Sequence, residues 1–210
     1  MNEFERRAFL FELRAENDER HGSIITGRPI VYNSQTDIGG YFAEIIDRGA
    51  LDGANLKDVR FLVNHDTSRI PLARSRNNNE NSTMQMSLDE NGMGIRVDLD
   101  TENNADARAL YSAVQRGDIS GMSFTFRISG EKWENLDSDY PTRHITAISD
   151  VFEVSAVTFP AYGDTEINAR GAGALDSARA ALDSEREKRA ALDSVELEKL
   201  RAKYLYNIED

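Results

Sequence analysis

The apolar residues of this chain change their spacing once, at Gly171-Ala172-Gly173. Up to Phe159 they recur mostly in short runs, several of them with period two, separated by clusters of Gly, Asn, Asp and Pro. That is the pattern of strands and turns. From residue 171 to Asp210 the chain is built from Ala, Leu, Glu, Lys and Arg, with no proline and no glycine after Gly173. Such a segment favours a helix or helix pair, solvated rather than part of a globular core. The tetrapeptide Ala-Leu-Asp-Ser recurs there at Ala174, Ala181 and Ala191, and Leu175, Leu182, Leu192, Val195 and Leu200 are spaced to line a narrow coiled-coil-like seam. The expected division is one compact domain over residues 1–170 and a helical extension over 171–210.

Within the first part, residues 6–14 read as a first strand. His21–Ser34 reads as a second, bent where Gly27 and Pro29 interrupt it. Tyr41–Ile46 suggests a short helical turn stopped by Gly49. Asp58–Asn64 is a buried strand running into a polar loop. Thr83–Leu88 and Met93–Leu99 form a hairpin around Asp89–Gly92, with Asn91-Gly92 expected to supply the positive φ angles. Asn103–Gln115 is the clearest helix: Asn103 or Asn104 can cap it, Ala107, Leu110, Tyr111 and Val114 share one face, and Gly117 lies just past its end. Two strongly β-like stretches follow, Ile119–Ile128 and Ile145–Phe159, joined by a polar loop carrying Trp133.

Composition narrows the function. At 210 residues, 40% hydrophobic and 30% charged, the chain can bury a core. Its net charge of −12 disfavours a main role on nucleic acid or anionic membranes, both polyanions. The chain has no cysteine, which removes disulfides, thiol nucleophiles and thiolate metal sites. The N-terminal residues mix both charge signs without a long apolar run, so no signal peptide is expected, and no apolar stretch reaches the ~18 residues of a membrane span.

Three side chains stand out. His65 ends an apolar strand between Asn64 and Asp66, where an imidazole can be held firmly and still face a cleft. An ordinary loop histidine fits the same pattern. In Gly121-Met122-Ser123-Phe124-Thr125-Phe126, alternation puts three large apolar side chains on one face and the hydroxyls of Ser123 and Thr125 on the other. Gly121 would let another backbone, such as a substrate strand, approach closely. A plain half-buried serine fits too, and Ser120 is a weaker rival nucleophile. Glu153 lies inside the apolar run Val151–Val157, where a carboxylate is costly unless paired. A histidine hydrogen bond would satisfy it and orient the ring, whereas an edge strand would let it face solvent.

His65 in Phe61-Leu62-Val63-Asn64-His65-Asp66, Ser123 in the segment Gly117–Phe126, and Glu153 in the segment Val151–Tyr162, in that order, resemble the tailed-phage prohead proteases, a family distantly related to the herpesvirus assemblins. Gly39–Leu51 is similar to the family's segment before the histidine strand, and the resemblance covers roughly residues 5–170. It implies an α+β, mainly β fold: a compact antiparallel β-barrel flanked by a few helices. It implies peptide hydrolysis with Ser123 as nucleophile, His65 as general base and Glu153 orienting His65, without a cofactor. Assemblins use a second histidine in the third role, which makes His144 a rival to Glu153. Thr125 departs from the family, whose members often carry glycine there. The turn at Ala161–Gly163 is a candidate source of oxyanion donors.

The resemblance also implies partners: the scaffold segment of the major capsid protein or a separate scaffold protein as substrate, the protease itself, and a second copy in a homodimer, with neither nucleic acid nor membrane. The place of action would be the interior of the prohead, assembled in the bacterial host cytoplasm. The helical extension would co-assemble with helical scaffold or be removed by self-cleavage. Two other classes compete: a non-enzymatic capsid assembly or scaffolding protein, and a metal-dependent hydrolase using His65, Asp66, His144 and Asp150, whose spacing matches no compact ligand motif.

Overall fold

The computed structural model describes residues 4–9, 13–18, 22–158 and 172–206. In chain order its elements are β1 (Glu5–Phe9), β2 (Leu13–Asp18), β3 (Gly22–Val31), β4 (Gln35–Ile38), β5 (Phe42–Ile46), β6 (Asp58–Val63), β7 (Ala73–Arg76), β8 (Met84–Asp89), β9 (Gly92–Asp98), α1 (Ala105–Arg116), β10 (Gly121–Glu134), β11 (Thr142–Val157) and α2 (Ala172–Tyr206). The class is α+β, mainly β.

The strands form a seven-stranded sheet, ordered β1-β10-β11-β5-β4 with β6 and then β7 beside β11, and a four-stranded sheet, ordered β2-β3-β9-β8. Both sheets are open. The expected closed, antiparallel barrel is therefore corrected, and β11 explains why. One edge of this 16-residue strand pairs antiparallel with β10. Its other edge is shared between β5, along Thr142–Ile145, and β6, along Glu153–Ala156, both running parallel to it. The large sheet thus branches instead of curling round on itself.

Core residues come from both sheets. Phe61, Phe124, Phe126 and Val154 of the large sheet and Ile25, Ile30, Met93 and Val97 of the small one belong to a single buried cluster, together with Ala107, Leu110 and Val114 of α1. Helix α1 begins as its sequence demands: the Asn104 side chain accepts from the N–H groups of Asp106 and Ala107, and Gly117 ends the helix at φ 80°. The bend expected in the second strand is a register shift between Gly27 and Ile30.

Other expectations change. Residues 6–14 are not one strand: β1 belongs to the large sheet and β2 to the small one. Phe42–Ile46 is strand β5, not a helical turn. It is held between β4 and β11, and its preceding turn uses Gly39 and Gly40 at positive φ. In the β8–β9 hairpin the positive φ falls on Gly92 alone, which lies opposite Val31 of β3. Strand β10 runs on to Glu134, so Trp133 is a strand residue, and its ring packs edge-on against Phe42 at 4.9 Å.

Helix α2 is not wholly solvated. Leu182 is buried against Ile38, Phe42, Trp133 and Leu136, a burial that contributes about 2 kcal/mol. Arg186 donates to the carbonyl oxygens of Leu136 and Ser138, and Arg179 lies over the Tyr41 ring. The later seam residues Leu192, Val195 and Leu200 are exposed, as is Leu197. The Leu175 side chain lies outside the described residues.

Candidate active site

The alternation read in β10 holds. Met122, Phe124 and Phe126 are buried in the core cluster, and Ser123 and Thr125 take the opposite face. The register across to β11 sets Ser123 opposite Ser155 and Thr125 opposite Glu153. Directly opposed residues share a face with Cβ atoms about 5 Å apart. Two hydroxyl residues of β10 therefore share a face with Glu153 and Ser155 of β11.

Strand β6 delivers the histidine. It runs parallel to β11 as far as Val63–Ala156, and the chain then turns through Asn64 and His65, both at positive φ. Non-glycine residues rarely adopt that conformation, and it persists only when neighbouring bonds hold it. The Asn64 N–H donates to the Ala156 carbonyl, its side-chain amide exchanges hydrogen bonds with Thr158, and the His65 N–H donates to Ser155 Oγ at 3.1 Å. The turn brings His65 Nδ1 to 2.6 Å from Glu153 Oε1. An ionised carboxylate only accepts, so Nδ1 carries the proton in this bond.

Glu153 is the most heavily bonded group of the site. Oε1 accepts from His65 and from the Thr125 hydroxyl, and Oε2 accepts from the Ser155 hydroxyl at 2.6 Å. Burial by itself would raise the Glu153 pKa. The hydrogen bond and charge of His65, helped by Ser155 and Thr125, outweigh it and hold the carboxyl below its ordinary value. Three hydrogen-bond partners thus accommodate a costly carboxyl group in an apolar strand.

Ser123 is 1% exposed. Its hydroxyl donates to the Arg7 carbonyl oxygen of β1 at 2.7 Å, so its proton points to the strand that covers it and not to the His65 ring.

The other candidates fall elsewhere. His144 also lies on β11, but nine positions before Glu153, roughly 30 Å along an extended strand. There Nδ1 meets Asp47 Oδ1 at 2.7 Å. Ser120 is exposed, ahead of β10. Asp66 bonds Ser68 and ion-pairs with Arg69, while Asp150 is held by Asn55, Arg127 and Ser149. Among the described residues no three His, Asp or Glu side chains gather as a metal would require. Ala161–Gly163 lies outside the described residues. Sequence reasoning missed the parts played by Ser155 and Thr125. Alternation gave Thr125 its face, but only the inter-strand register shows that it points at Glu153, and Ser155, two residues along β11, joins it there.

His65, Thr125 and Ser155 all hydrogen-bond Glu153, and Ser123 lies on the same face of β10–β11, opposite Ser155. The comparisons place the chain more narrowly. The family described as caudovirus prohead serine protease matches residues 10–177, and the chain belongs to that family. The prohead protease of Enterobacteria phage HK97 is 29% identical over 153 residues, covering 71% of this chain and 60% of that relative. The chain thus spans about three-fifths of the length of that curated relative. The solved bacteriophage T4 capsid assembly protease matches 73% of this chain and 98% of its own, at 13% identity and a TM-score of 0.38.

Proposed function

We propose that this chain is a serine endopeptidase of the phage prohead, cleaving the scaffold segment of the major capsid protein or a separate scaffold protein, and itself, during capsid maturation. The observation that carries the reading is the His65–Glu153 hydrogen bond on the face that also bears Ser123. In the reaction, Ser123 Oγ bonds to the scissile carbonyl carbon while His65 Nε2 takes the hydroxyl proton. The C–N bond then breaks as the same proton passes to the leaving amine. Water repeats the sequence on the acyl-enzyme, returning Ser123 and releasing the carboxylate. Glu153 holds the ring in the tautomer that accepts at Nε2 and stabilises the imidazolium. Ser155 and Thr125 hold Glu153.

Residues 1–170 form the protease domain in this reading, and 171–210 an extension that associates with helical scaffold and raises the local concentration of enzyme at its substrate. Family membership and the exposed second half of α2 support that division. The test is co-expression with the capsid protein, wild type against Ser123→Ala, with mass spectrometry of the new termini. Loss of trimming with assembly intact is expected. Trimming that survives in Ser123→Ala removes the mechanism.

A further inference from the structure

The strand lying on the proposed nucleophile is the chain's own β1. It pairs antiparallel with β10, Arg7 opposite Phe124 and Ala8 opposite Ser123, at the outer edge of the large sheet. An exposed sheet edge is where an extended peptide adds as a further strand. The Ser123 hydroxyl meets one carbonyl of that strand, the one belonging to Arg7.

The Arg7 side chain leads into a site that is already built. It is 6% exposed, and Glu44 of β5, 2% exposed, accepts from Arg7 Nε and from a terminal guanidinium nitrogen. Two parallel N–H···O bonds to one carboxylate are the planar recognition that arginine makes and neutral side chains do not. The Phe126 ring lies 5.8 Å from the guanidinium carbon. Arg143 of β11 donates at 3.2 Å to Glu44 Oε2, the oxygen that Arg7 also binds, and it bonds Glu5, the residue two positions before Arg7 and hence on the same side of the strand. Take β1 away and Glu44 keeps one of its two arginines, while Arg143 keeps Glu44 and Glu131 but loses Glu5.

We propose that β1 occupies the place of the substrate strand, with Arg7 as the residue whose carbonyl is attacked, and that Glu44 and Arg143 select peptides of the form acidic–any–arginine. This specificity rests on Ser123 being the nucleophile as proposed above. The bound β1 is held short of reaction: its carbonyl oxygen, not its carbon, faces the hydroxyl, which spends its proton on that oxygen. A substrate must displace β1, so the free enzyme is blocked by its own N-terminal strand.

The test uses the full chain as wild type, Arg7→Ala and Phe4→Ala. Phe4 is exposed and touches Phe152 and Arg127 outside the charged site, so its loss loosens β1 and leaves Glu44 paired. Each protein receives a fluorophosphonate, which labels an accessible activated serine whatever the peptide preference. Each also receives two coumarin amides, Glu-Arg-Arg and Glu-Arg-Gln. Both variants should label at least about tenfold faster than wild type, and the arginine amide should be cleaved at least about 100-fold faster than the glutamine one. The free hexapeptide Phe-Glu-Arg-Arg-Ala-Phe should slow labelling of Phe4→Ala, and its counterpart with glutamine for the second arginine should not. Labelling at Ser123 with no preference between the amides overturns this specificity while the serine mechanism stands. Equal labelling of wild type and both variants overturns the blocking strand. No labelling and no cleavage in any of the three removes both proposals together.

Discussion

Thr125 and Glu153 carry the predictions that belong to single side chains. Thr125 donates its hydroxyl to the carboxylate oxygen that also binds His65. Thr125→Val keeps the shape and removes that donor. Stability should fall by about 1 kcal/mol, the net worth of one hydrogen bond. Peptide kcat should fall about tenfold with KM unchanged, because the histidine and not the substrate is disturbed. Denaturant unfolding and steady-state kinetics on the same preparation separate the two effects. Glu153→Gln should cost about 2 kcal/mol at neutral pH, since a charge-assisted bond to His65 is lost. The sign of its pH dependence follows from the folded carboxyl titrating below its ordinary value. Such a group stabilises fully above its unfolded pKa, about 4.3, and the contribution disappears as pH falls through the lower folded value. The stability difference between wild type and Glu153→Gln, followed by denaturant unfolding from pH 7 to pH 3, should therefore shrink below about pH 4. A constant difference down to pH 3 rules out an ionised, stabilising Glu153.

Elements were legible where one period ran unbroken. The apolar face of α1, the alternation of β10 and the bend of β3 at Gly27 and Pro29 were all read correctly from the sequence, whereas the cap of α1 lay between Asn103 and Asn104 until the structure placed it on Asn104. Tyr41–Ile46 misled because so short a mixed stretch ahead of Gly49 fits a helical turn as well as a strand. What decides is pairing with β4 and β11, supplied by residues far away in sequence. The same holds for the site. His65, Ser123 and Glu153 were each visible as odd residues in apolar runs, but the register that sets Thr125 opposite Glu153 and Ser123 opposite Ser155 is a tertiary fact. Gly92 shows how a turn residue can be right for another reason. A Cβ there would lie 2.0 Å from the Ile30 carbonyl oxygen, at a φ of 133°. Gly92→Ala must push β9 away from β3, and should cost at least about 2 kcal/mol by denaturant unfolding. An unchanged midpoint would mean that the two strands are not in this contact.

At the scale of the molecule, the sheet edges and the C-terminal helix matter most. The family resemblance implied a barrel, but the parallel placing of β5 and β6 on one edge of β11 leaves the large sheet branched and open. An open sheet has outer strands, and one of them, β1, is the strand lying on Ser123. Helix α2 divides in the same manner between a docked and an undocked part. Arg179, Leu182 and Arg186, at helical spacing, bind the body of the protein, whereas Leu192, Val195, Leu197 and Leu200 are exposed. Removing residues 191–210 takes away the second group and leaves Arg179, Leu182 and Arg186 in place. The truncated chain should unfold at the same denaturant midpoint as the whole one, within about 0.5 kcal/mol. It should also cleave small peptides at the same rate, since the site lies on β6, β10 and β11. Trimming of capsid protein in co-expressed proheads should nevertheless drop, because the segment proposed to bring enzyme and scaffold together is gone and the gain in local concentration with it. Mass spectrometry of capsid-protein termini, alongside the peptide assay, reads both at once. Equal trimming by the two chains shows that the exposed stretch of α2 recruits nothing. A lower midpoint shows instead that it packs against the domain.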